Sequence, residues 1–85
     1  MTPEELSSAI AGKEAETLLP SLGFSLDFVA KNVFSTPGPV TVAQIAMLWM
    51  GMPNKHDRKR TRQLLDALVA AGLLESTGEE TYTRQ

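Results

Sequence analysis

The apolar positions of this chain recur in four blocks, each closed by a glycine or a proline. In the first, Leu6, Ala9 and Ile10 line one side of a helical repeat that follows Thr2, Pro3 and Glu5. That trio predicts a helix start, with Thr as N-cap, Pro in the first turn and Glu reaching back. Gly12 interrupts the pattern, a second helical stretch runs from about Lys13 to Leu19, and Pro20 is expected to end it. In the second block, Leu26, Val29, Ala30, Val33 and Phe34 fall at spacings of three and four, predicting an amphipathic helix over about 25–35 with Ser25 as cap. The segment "STPGP" stops it.

The third block, "VTVAQIAMLWMGMP", opens with Val40 as a very short strand. Thr41 and Gln44 form a capping box for a helix over about 42–50, with Val42, Ile45, Ala46 and Trp49 inward. Gly51 and Pro53 close it. The fourth block places Thr61, Leu64, Leu65, Leu68 and Ala71 on one arc of a helix over about 57–71. Lys59, Arg62, Gln63 and Asp66 fall on the opposite arc, and Arg58 and Arg60 at its borders. Asn54 or Asp57 caps the start and Gly72 ends the helix. Residues 73–76 and 81–84 then read as strands of a hairpin around a turn at 77–80.

Composition changes the picture only at one place. With 42% hydrophobic and 21% charged residues, the 85-residue chain is an ordinary globular sequence with room for one modest core. It has no cysteine, which removes disulfides and thiolate metal sites and fits a reducing cytoplasm. The N-terminus carries acids where a secretory leader needs cations, and the densest apolar run, 45–52, is far below the roughly 20 residues of a membrane span. The expectation is a cytoplasmic protein with no membrane partner. Its net charge is −2, yet Lys55, Arg58, Lys59, Arg60 and Arg62 gather five of the eight Lys and Arg residues into one short run. Residues 55–62 carry a formal +4.

A solvated helix face can carry charge without any partner. Here, though, the cations crowd the N-terminal end of a helix, where the backbone dipole disfavours them, in a chain short of them elsewhere. Other chemistry is thin. His56 is the only histidine and has no second ligand for a metal. Met47, Met50, Met52 and Trp49 read as core or as a packing surface for the N-terminal segment. Gly12-Lys13 is no phosphate loop, because Ser7 stands where the first glycine is needed and Glu14 replaces the hydroxyl residue. No nucleophile is placed with a base, so no enzyme and no cofactor are expected.

Taken together, "GPVTVAQIAMLWMG", "RQLLDALVAAGLLES" and "YTR" resemble the winged helix-turn-helix superfamily over about residues 25–84. The resemblance implies an α+β, mainly helical fold: a three-helix core with a C-terminal β-hairpin wing in residues 23–85, preceded by a helical extension in residues 1–22. It also implies a recognition helix at about 55–71. Its outward residues would meet double-stranded DNA, with Arg58, Lys59, Arg62 and Gln63 in the major groove and Lys55 and Arg60 on phosphate. The wing departs from the pattern, because Glu75, Glu79 and Glu80 make it acidic and only Arg84 counters them. A small transcriptional regulator or accessory factor is the expected role, paired as a homodimer through residues 1–22. The alternative is a protein-interaction module in a larger complex without direct DNA binding.

Overall fold

The computed structural model describes all of residues 1–85. The chain forms five helices and three strands: α1 (Pro3–Ile10), α2 (Glu14–Ser21), α3 (Leu26–Asn32), β1 (Val40–Thr41), α4 (Val42–Met50), α5 (Lys55–Ala70), β2 (Leu74–Gly78) and β3 (Thr81–Arg84). The architecture is α+β and mainly helical. No helix is long and apolar enough to cross a membrane.

Local chemistry explains most helix boundaries. Complete capping boxes start three helices, with Thr2 and Glu5 at α1, Thr41 and Gln44 at α4, and Asn54 and Asp57 at α5. In the last of these, Asn54 is the cap and Asp57 its reciprocal partner. The α2 helix passes through Pro20 to Ser21, because proline removes a donor but keeps its carbonyl, which accepts from the Gly23 amide at 3.0 Å. By contrast, α3 stops three residues short of the expected end. There the Ser35 and Thr36 hydroxyls take the Ala30 and Asn32 carbonyls at 2.8 and 2.9 Å and turn the chain away.

The sheet is antiparallel in the order β1-β3-β2, with Val40 opposite Tyr82 and Glu75 opposite Thr83. A bulge between Ser76 and Gly78 extends β2 further than expected, leaving Glu79 and Glu80 as the turn. Glu80 adopts a positive φ of 58°, and its carbonyl accepts from the Val42 amide at 3.0 Å, tying the turn to the start of α4.

One core joins these elements. Leu64, Leu65 and Leu68 of α5 are fully buried at its centre, packed with Val29, Val42, Ile45, Leu74 and Tyr82. Residues 1–22 belong to the same cluster. Leu6, Ile10, Ala15 and Leu19 are each at most 2% exposed, so the apolar face expected to be free for pairing lies inside the molecule.

Candidate nucleic-acid interface

The N-terminal half of α5 is held at both its start and its underside. Asn54 Oδ1 accepts from the Asp57 amide at 2.9 Å, and Asp57 Oδ2 accepts from the Asn54 amide at 3.0 Å. The Asp57 carboxylate is therefore buried and engaged at the helix start, and forms no ion pair with the neighbouring cations. Beneath the helix, the Thr61 hydroxyl donates to the Asp57 carbonyl at 2.8 Å and accepts from the Trp49 indole N–H at 2.9 Å. This polar link, within otherwise apolar packing, sets α5 against α4.

On the outer side, Lys55, Lys59 and Arg62 share the centre of the exposed arc, and Arg58 and Gln63 flank it on opposite edges. Lys55 and Lys59 project into solvent. Arg58 is exposed, and its Nη1 donates to the Pro53 carbonyl at 3.1 Å. Arg62 forms the chain's single ion pair, with Glu80, and both side chains remain substantially exposed at 52% and 39%. Gln63 lies on the side facing α2, lining a groove of about 330 Å³ with Glu14, Leu18 and Asp66.

Arg60 lies apart from this group. Its guanidinium donates to the Leu22 carbonyl and sits 5.0 Å from the centre of the Trp49 ring. Expected on phosphate, it instead turns inward, because an aromatic face and a backbone carbonyl wait at the border of the buried arc. Two more cations are held the same way. Lys13 Nζ donates to the Ala71 carbonyl at the end of α5 at 2.8 Å. Arg84 donates to the carbonyls of Val33 at 2.9 Å and Gly38 at 2.6 Å, so it does not neutralise the acidic turn.

The C-terminal half of α5 and the hairpin have the opposite character. Asp66 follows Arg62 on the outer arc and accepts from the Tyr82 hydroxyl at 2.7 Å. Burial, reinforced by that hydrogen bond and by the charge of Asp66, pushes Tyr82 up to about 12. Positive charge therefore ends near Arg62, where Glu80 pairs with it and Asp66 follows on the same helix face.

The residue sequence reasoning missed was Glu80 as the Arg62 partner. Its acidic character was visible, but the fold alone brings the turn to α5. Comparison with protein-family models, curated proteins and solved structures finds no match to this chain.

Proposed function

We propose that this chain is a winged-helix domain that binds double-stranded DNA through the N-terminal half of α5, acting as a small transcriptional regulator or accessory factor. The element order, with a short strand ahead of α4 and a hairpin after α5 closing one three-stranded sheet, supports the fold assignment. The observation that carries the function is the outward set of Lys55, Arg58, Lys59 and Arg62, with Asp57, the one acid within that run, buried in the cap and Glu80 paired with Arg62 alone.

From Lys55 to Arg62 the helix axis covers about 10 Å. A duplex presents one phosphate charge per roughly 1.7 Å of its own axis, so four contacts within that length are available. Lys55 and Lys59 supply compact charges for phosphate, whereas Arg58 and Arg62 have the planar donor edge that reads guanine. Gln63, on the adjoining edge, carries the amide that reads adenine. Arg62 must exchange Glu80 for DNA, a small cost because exposed ion pairs contribute about 1 kcal/mol or less. The proposal places no dimer on residues 1–22, whose four apolar anchors are inside the core.

Charge reversal tests it. Lys55 lies in the first turn, where glutamate favours the helix dipole, and Lys59 is exposed, so Lys55→Glu with Lys59→Glu should leave thermal stability intact. Fluorescence anisotropy with a labelled duplex should then show binding lost at about 0.1 M salt, near the 10 Å screening length. Unchanged binding by a folded double variant would move the interface elsewhere.

A further inference from the structure

The exposed large hydrophobic side chains are concentrated on α4 and the turn that follows it. Met47, Leu48, Met50 and Met52 are 59%, 58%, 45% and 93% exposed, and the only other large one is Met1. They lie within a stretch, residues 32–54, that contains no charged residue and no histidine. Isolated apolar groups on a surface are ordinary, but a contiguous set of this kind marks an interaction site. Methionine also suits a surface that adapts to an incoming apolar face.

Beyond the C-terminal end of α4 the margin of this patch is cationic. Arg58 donates to the carbonyl of Pro53, the residue that follows Met52 in the chain, and Lys55 opens the following helix. No acid occurs between Asp27 and Asp57, and Asp57 is buried in its cap. We propose that the outer face of α4, together with Arg58 and Lys55, is a docking surface for an acidic amphipathic helix of a partner protein. Its leucine-type side chains would cover the methionines, while its carboxylates would face the cationic margin. Because Arg58 and Lys55 also belong to the proposed DNA face, the two ligands would compete there. The surface does not rest on the DNA reading, since the apolar patch lies outside that set.

A fluorescein-labelled peptide of about 18 residues, with leucines at helical spacing and glutamates elsewhere, is the probe. The native chain should bind it, and roughly tenfold more weakly a peptide of the same composition with the spacing scrambled. The variant Met47→Ser with Met50→Ser changes only exposed side chains. It should keep its circular dichroism and duplex affinity yet lose roughly tenfold in peptide binding. The proposal is overturned if a leucine–lysine peptide binds as well as the leucine–glutamate one, or if neither binds. It is equally overturned if the methionine variant instead disperses a dimer seen by sedimentation, or if it loses binding only to anionic phospholipid vesicles.

Discussion

Lys59 and Arg60 are consecutive in sequence, yet the helix turns one into solvent and the other over the Trp49 ring. The consequences for substitution are opposite. Arg60→Ala removes a charged donor from the Leu22 carbonyl and a cation from an aromatic face. The expected loss is about 2 kcal/mol, read as a shift in the urea midpoint. Lys59→Ala should stay within about 0.5 kcal/mol of the native chain, as surface changes do. Equal effects at both positions would show that Arg60 contributes nothing beyond its charge. The same contact constrains its neighbour. Gly23 holds a φ of +88°, which favours glycine, and a Cβ there would lie 2.9 Å from the Arg60 guanidinium and push it aside. On the helical wheel Arg60 lies at the border of the polar arc, but only coordinates reveal that the border is roofed by Trp49. Its carbonyl partner is 38 residues away, and those of Arg84 and Lys13 are 51 and 58 away. Such links leave no local signature. The capping boxes, whose partners lie three positions apart, do.

At the scale of elements, the helix starts were legible because each is specified by a few adjacent side chains. Ends were less so: α3 is terminated by hydroxyls that turn back on it, and α2 tolerates proline in its last turn. The hairpin was legible as two strands, whereas the bulge at Gly78 and the approach of Glu80 to α5 depend on pairing across the sheet. That approach has a testable effect. Glu80→Gln should release Arg62 and remove a negative charge beside the basic face. Duplex affinity should rise by up to about fivefold, the span of a surface pair near 1 kcal/mol. A fall in affinity would mean instead that Glu80 holds Arg62 in the orientation DNA needs.

Across the whole molecule, the division into an N-terminal extension and a following domain reads differently in three dimensions. The sequence separates residues 1–22 by a glycine and a proline, but burial is cooperative: Leu6, Ile10, Ala15 and Leu19 complete the same core as Leu64 and Leu68. What remains outside that core is a surface sorted by charge. Cations stand at the start of α5, acids at the hairpin turn, and uncharged side chains on α4. The central claim is that Lys55, Arg58, Lys59 and Arg62 meet DNA; on a random duplex, which offers the arginines no defined guanine to read, all four fall on phosphate, and counterion release reads the number directly. Titration of a random duplex across a salt series should give log K falling against log salt with a slope of roughly −3.6. A slope near zero, or no binding even at low salt, would contradict it.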